Sequence, residues 1–415
     1  MHPKVGLRPQ KSSFSQGGTH FNLLEEAFRS DRSSHEVGMK LRKMGIPADI
    51  AAEVALQCEL RRQAATKLGE DADKMLFTRD GMEQATRAAV ATWHAEKMSE
   101  ANVHYIADLG CGLATEAIAF SKRALKVLGI ELDPKTAAYA KNNVSRWPDA
   151  DIQIADVTKI DIGKLKAEGV DALFADPARR GPRGRIANPA MWSPPLPAVY
   201  AWRTLIPNVA VKVAPGIRYS DVPADAEAIW ASVDGSLVEA SLWFGDLRER
   251  AGRSAIIFRG DQRHLFQVEG EGPTAPAAAA PVADGIMHWI GEVDSAVLRA
   301  GGLAQWAHSW PGAGILHDGI AYVTSETSPS PEAAKYGHFW EVQTVLPLNA
   351  KKVKKELARL GIGKLEVKKR GVQIDPAAFR KSVLKGATGD GAATLFLTRA
   401  QVNGKSKHVA IVATE

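Results

Sequence analysis

Apolar positions recur at helical spacing in the opening part of the chain: Leu23, Leu24 and Phe28 form one stripe, and Ile50, Val54 and Cys58 another. Charged residues such as Glu59, Arg61, Arg62 and Lys67 stand between them. Residues 21–94 therefore predict a small helical subdomain, preceded by a polar, disordered tail over residues 1–20. From residue 95 to 268 the pattern changes to short apolar runs separated by helical stretches. The apolar run at Tyr105–Leu109 is followed by a helix over Glu116–Lys122, a strand over Leu125–Ile130 and a helix over Lys135–Trp147. Strands then follow at Asp151–Ala155, Val170–Ala175 and Asn208–Val213, with a further pair at Leu237–Gly245 and Ser254–Arg259. That alternation predicts α/β architecture: a doubly wound, Rossmann-like sheet. The stretch Glu269–Pro281 is too poor in large side chains to build a core and opens a linker and connecting region over 269–337. Beyond it, 338–415 reads as strand, helix, strand, helix, strand, strand, a small α+β module.

Composition narrows the class. The chain has 415 residues, 45% hydrophobic and 24% charged, as in a soluble globular protein of two or three domains. No apolar run approaches a membrane span and the first twenty residues lack a signal-peptide core, so the expected compartment is the cytoplasm. Cys58 lies on an apolar stripe and Cys111 in a glycine loop where small size suffices, so neither is expected to form a disulfide. The histidines show no metal-ligand spacing and no metal is expected. No heptad or dimer stripe fixes an oligomeric state.

The candidate chemistry stands at the C-terminal ends of the apolar runs, where open parallel sheets bind ligands. The first ends in Asp108-Leu-Gly110-Cys-Gly112, whose glycines allow a sharp turn and close approach of a ligand. Glu131 ends the next strand about 20 residues on, where a carboxylate holds a ribose diol. Both features fit a dinucleotide site. Asp108 separates the two cases: beside a pyrophosphate it repels, whereas beside an ammonium it forms a charge-assisted hydrogen bond. The third fingerprint position is Thr115 rather than Gly or Ala. A cofactor with both an ammonium and a ribose is S-adenosylmethionine. Asp108 would then hold its methionine end, Glu131 the ribose and Asp156 the adenine amine; Asp156, like Asp133, also reads as a cap or turn former.

These residues resemble the class I S-adenosylmethionine-dependent methyltransferases, in particular a bacterial branch with a C-terminal THUMP-like domain. The resemblance rests on Asp108-Leu-Gly-Cys-Gly112, Gly129-Ile-Glu-Leu-Asp-Pro134 and Phe174-Ala-Asp-Pro-Ala-Arg-Arg180. Upstream, Lys67-Leu-Gly-Glu-Asp-Ala72, Met75-Leu-Phe-Thr78 and Glu83-Gln-Ala-Thr86 extend it. The order of an upstream Phe-Thr segment, cofactor loop and Asp-Pro tip is also similar to trimethylguanosine synthase. The resemblance implies that Asp176 and Pro177 are candidate catalytic residues, with Asp176 accepting a hydrogen bond from the target nitrogen; Arg179, where the chain departs from the family pattern, is the third candidate. Amine methyltransferases of nucleic acids usually carry a second Pro and an aromatic at the positions of Ala178 and Arg179. Base stacking here would fall to a guanidinium plane or to a nearby ring such as Trp192.

Charge adds a partner. Between Lys351 and Lys385 twelve basic residues face three acidic ones, a local +9 in a chain of net +6. That concentration predicts RNA docking on the C-terminal module, an expectation the THUMP-like resemblance shares. Lys351, Lys352, Lys354 and Lys355 cannot all share one helical face, and a solvated charged surface is the plain alternative. A second basic run, Arg179-Arg-Gly-Pro-Arg-Gly-Arg185, follows the Asp176 tip, where its arginines either flank the substrate or pair with nearby carboxylates. The expected function is methylation of a base nitrogen of RNA. The other readings are a small-molecule or protein methyltransferase, and a non-catalytic RNA-binding protein that retains the fold.

Overall fold

The computed structural model describes residues 19–30, 32–181, 184–270 and 272–415. The tail expected over 1–20 thus lies outside the described residues up to residue 18, and Thr19 and His20 already belong to the first helix. Two compact units divide the chain: one through Val213 together with Leu242–Glu249, and one of Ala214–Ser241 with Arg250–Glu415.

The first unit opens with helices α1 (Thr19–Arg29), α2 (Ser34–Lys43), α3 (Ala48–Leu68), α4 (Arg79–Gln84) and α5 (Ala88–Glu100). Ser33 starts α2 through a capping box with Glu36, which satisfies two backbone donors reciprocally. The helical subdomain differs from the expected pattern in one respect. Arg61, placed by its spacing on a charged face, is fully buried. Its Nε donates to the Met75 carbonyl at 2.9 Å and its Nη1 to Glu25 at 2.8 Å. Buried Gln57 exchanges two hydrogen bonds with the backbone of Phe77. Both side chains supply partners to the extended segment 75–77, whose buried peptide groups would otherwise be orphaned.

The sheet of this unit follows. Its elements are β1 (Tyr105–Leu109), α6 (Thr115–Lys122), β2 (Lys126–Glu131), α7 (Pro134–Val144), β3 (Ala150–Ile154), α8 (Ile162–Ala167) and β4 (Ala172–Ala175). A short hairpin of β5 (Arg180–Gly181) and β6 (Gly184–Arg185), helix α9 (Leu196–Trp202) and β7 (Asn208–Val213) complete it. Strands β3-β2-β1-β4-β7 lie side by side, all parallel. The order reverses between β1 and β4, so the switch point lies where Asp108 and Asp176 stand. β4 is buried throughout, as a central strand covered on both faces requires, while edge strand β3 buries only Ile152. After β7, Phe244 N–H bonds the Val209 carbonyl at 2.9 Å, and Trp243 packs edge-on against Trp93 of α5.

In the second unit the strands are β8 (Glu227–Val233), β9 (Ser236–Trp243, its last two residues counted with the first unit), β10 (Gly252–Arg259) and β11 (Gln262–Gln267). β9 and β10 are not neighbours: β8 lies between them. The chain continues through β12 (Trp289–Val293), α10 (Ser295–Ala300), α11 (Leu303–His308), β13 (Gly314–His317), β14 (Ile320–Ser325) and α12 (Pro331–Ala334). It closes with β15 (Gly337–Pro347), α13 (Ala350–Arg359), β16 (Ile362–Lys369), α14 (Pro376–Val383), β17 (Gly391–Val402) and β18 (Lys405–Thr414). The expected linker region is therefore largely structured, and β12, β13 and β14 join the later strands in one sheet of order β13-β14-β12-β15-β18-β17-β16. The sheet curls until β13 meets β17. Inside the curl lie Ile290, Tyr322, Trp340, Phe396 and Ile411; on the opposite face Val353, Leu357, Val383, Leu395 and Val412 pack α13 and α14. The alternation of Leu395, Phe396 and Leu397 between the two cores is the period of two of a strand buried on both faces.

Candidate active site

The glycine loop after β1 is folded back on β2. Gly110 and Cys111 both donate backbone N–H groups to the Ile130 carbonyl, at 2.9 and 3.0 Å. Gly110 adopts φ +91°, and a side chain there would meet the Asp176 carbonyl at 3.3 Å, so glycine lets the loop approach the end of β4. Gly129 makes room for a different reason: a Cβ there would displace the end of the Ile152 side chain and press on the Cys111 sulfur. Small, buried Cys111 is thus a packing residue. Asn143 of α7 secures the far side, exchanging two hydrogen bonds with the backbone of Leu76 and donating to the Leu113 carbonyl at 3.0 Å. The upstream Phe-Thr segment is tied to the glycine loop by this one side chain.

Asp108 is 1% exposed, and its Oδ2 has no hydrogen-bond partner among the described residues. Burial first, then the neighbouring carboxylates Glu116 and Asp176, pushes its carboxyl well above the usual range, with Lys212 opposing. A buried carboxylate without a donor costs several kcal/mol. Such a group is built for a cationic donor that arrives with a ligand. Glu131 Oε2 accepts from Gly112 N–H at 3.0 Å and Oε1 from Asp133 N–H at 2.9 Å. Those bonds orient the carboxylate and leave lone pairs on both oxygens for a diol. Thr115 opens α6 behind Ala114, which lies in the left-handed region at φ 66° and provides no side-chain cap.

Asp133 caps α7, as one of its expected roles requires, through Thr136 N–H at 2.8 Å. Asp156 also holds its own turn: Oδ1 accepts from Thr158 N–H at 3.0 Å and Thr158 Oγ1 at 2.7 Å, and Oδ2 pairs with Lys159 at 3.1 Å. The sequence reading missed two apolar residues beside these carboxylates. Leu132 is 62% exposed and Ile154 60% exposed, and they follow or end adjacent strands. An exposed pair of this size at the tips of β2 and β3 suits a flat heteroaromatic ring. The signal was available, since each stands beside an acidic strand end.

At the tip of β4, Asp176 Oδ2 accepts from Lys212 Nζ of β7 at 2.7 Å. Lys212 is buried and also donates to Thr86 Oγ1 at 2.8 Å. Thr86 in turn bonds Glu116, which faces His94 Nδ1 at 3.1 Å. Burial alone would raise the Glu116 carboxyl, but His94, Lys212 and Thr86 hold it below the usual value. Asp108, Glu116 and Asp176 thus surround one lysine, which no motif announced: in sequence Lys212 is only a basic residue inside an apolar strand. Pro177 is buried, and Arg179 is half-exposed with no side-chain partner among the described residues, so the pairing with nearby carboxylates is not seen for it. The side chains of Arg180, Arg183 and Arg185 lie outside the described ones. Trp192 is not a free stacking platform. It is 3% exposed, its Nε1 donates to the Ile186 carbonyl at 3.0 Å, and the neighbouring Ser193 pairs strand-like with Ala178.

A family model described as THUMP domain-like matches residues 337–415. Uncharacterised S-adenosylmethionine-dependent methyltransferases of two Mycobacterium tuberculosis strains are 31% identical over 342 residues, covering 79% of this chain and 88% of theirs. The crystal structure of a protein assigned as a methyltransferase from Porphyromonas gingivalis W83 superposes with a TM-score of 0.73 at 20% identity, over 95% of this chain and 98% of that one.

Proposed function

Because this chain belongs to the class I S-adenosylmethionine-dependent methyltransferases, uses S-adenosylmethionine and ends in a THUMP-like domain, we propose that it methylates a base nitrogen of RNA. The observation that carries the reading is Asp176: a strand-tip carboxylate fixed by Lys212 and close to the glycine loop. Asp108 holds the methionine ammonium and Glu131 the ribose, with the open start of α6 at Thr115 beside Gly110 and Gly112. Leu132 and Ile154 cover the adenine. Asp156 spends three acceptor positions on its own turn and keeps one for the adenine amine.

The cofactor supplies a methyl group already activated on a sulfonium. The protein has to align the acceptor with it and exclude water. Asp176 accepts a hydrogen bond from the target amine, points its lone pair at the methyl group, and takes a proton after transfer. It does not strip one beforehand, since a neutral aromatic amine is far too weak an acid for a carboxylate. Lys212 keeps the carboxylate from rotating away, and the Arg179 guanidinium supplies a plane for the base.

Docking falls to the second unit. Lys351, Lys352, Lys354 and Lys355 are all exposed on α13, and Arg380, Lys381 and Lys385 on or just after α14. Lys368 and Arg370 do not contribute, because Glu292 binds them at 2.9 and 2.8 Å; Arg359 is held by Glu356. Incubation of the protein with total RNA and methyl-labelled cofactor should place label in RNA nucleosides. Asp176→Ala should lower the rate about 100-fold or more. Label confined to small molecules or protein would replace this reading with one of the other two acceptor classes.

A further inference from the structure

Near Asp176 the first unit holds two cations that form no ion pair among the described residues. Lys67, near the end of α3, donates to the Met82 and Glu83 carbonyls at 3.1 and 2.7 Å and has no carboxylate within ion-pair distance among the described residues. The side chain of Arg87, directly before α5, has neither a hydrogen bond nor an ion pair among the described residues, though the residue is half-buried; only its backbone carbonyl is engaged, by the first turn of α5. Between them runs the joint Glu83-Gln84-Ala85-Thr86. Lys67 grips it at Glu83 and Lys212 at Thr86, and the same Lys212 ammonium holds Asp176. The joint therefore sets Lys67 and Arg87 one lysine away from the target acceptor.

Burial, then Arg87, then Lys212 lowers the Lys67 ammonium to about 8, with Glu83 opposing. Half-buried cations that crowd one another are costly unless an anion completes them. We propose that Lys67 and Arg87 form an anion subsite that takes a phosphate of the nucleotide whose base is presented to Asp176. The inference deepens the RNA reading and rests on it. It assigns the chemistry of the group next to the target base, and it sets a planar two-pronged donor, Arg87, and a point charge, Lys67, on one phosphate.

The test uses the full chain saturated with S-adenosylhomocysteine. Calorimetric titration compares the four nucleosides, their 5′-monophosphates and inorganic phosphate, on the wild type and on Arg87→Ala and Lys67→Met. At least one monophosphate should bind roughly tenfold or more tighter than its nucleoside, and both variants should lose that difference. Their S-adenosylhomocysteine affinity should stay within about twofold, and Arg87→Ala, which breaks no side-chain hydrogen bond or ion pair among the described residues, should melt close to the wild type. Three results would overturn the subsite: no benefit from the 5′-phosphate, a benefit that survives both substitutions, or an equal loss of cofactor affinity. The last would mean that these cations hold the methionine carboxylate. Inorganic phosphate binding as tightly as the monophosphates would overturn the nucleotide assignment. Failure of the RNA reading is separable, because it would leave RNA unlabelled while the phosphate benefit persisted.

Discussion

Asp108 and Lys67 place opposite demands on the folded chain. The raised Asp108 carboxyl means that the folded protein takes up a proton more readily than the unfolded chain, so its contribution to stability is lost as pH rises through the folded value. Asp108→Asn removes that charge. At neutral pH the cofactor-free variant should be more stable by about 1–2 kcal/mol and should bind S-adenosylmethionine roughly 10-fold or more weakly. Thermal melts and calorimetry read both, and undiminished cofactor affinity would remove Asp108 from the site. Lys67 behaves in reverse. Its ammonium, lowered from 10.5 to about 8, leaves the unfolded chain holding more protons between those values. The stability difference between wild type and Lys67→Met should therefore move in favour of the wild type as pH rises from 8 to 10.5, in denaturant titrations across that window. Asp108 and Glu131 were legible in the sequence because a strand end and a glycine turn fix where they must stand. Lys212 and Arg61 were not, since their roles follow from burial among residues far away in the chain, and Trp192 was not, since its ring is spent inside its own loop on the Ile186 carbonyl.

Elements extend the same contrast. The glycine loop, α7 with its Asp133 cap and Pro134, and the six elements from β15 to β18 were readable from local period and capping alone. The burden carried by each charge on those elements was not. The basic window reads as one uniform patch, yet Glu292 of β12 withdraws Lys368 and Arg370, whose cations also lie over the Trp340 and Tyr322 rings. What remains is concentrated on α13, whose buried Val353 and Leu357 turn Lys351 and Lys355 outward. The pair Lys351→Glu and Lys355→Glu should weaken RNA binding and reduce the slope of log affinity against log salt by about 2, with S-adenosylmethionine binding unchanged. Titration at several salt concentrations measures it, and an unchanged slope would move the docking surface elsewhere.

For the whole molecule, composition shifts were a poor guide to division. The alanine- and proline-rich stretch after Glu269 suggested a boundary near residue 268, but the compact units part at Val213 and exchange Leu242–Glu249. Strands β12 and β14 carry Ile290 and Tyr322 into the core shared with Phe396 and Ile411. Their membership depends on pairing with strands tens of residues later, which local pattern does not encode. The matched stretch 337–415 is therefore a piece of a larger sheet. Excised as residues 338–415, it should lack a cooperative thermal transition, whereas a well-dispersed amide spectrum from that fragment would show that it closes its core without β12 to β14. The tie made by Asn143 gives the first unit a history as well as a shape. Leu76 emerges from the ribosome 67 residues ahead of the side chain that completes its hydrogen bonds. At roughly 5–20 residues per second the interval is about 3–13 s. During synthesis the N-terminal helices must wait for α7 before the cofactor loop can be finished.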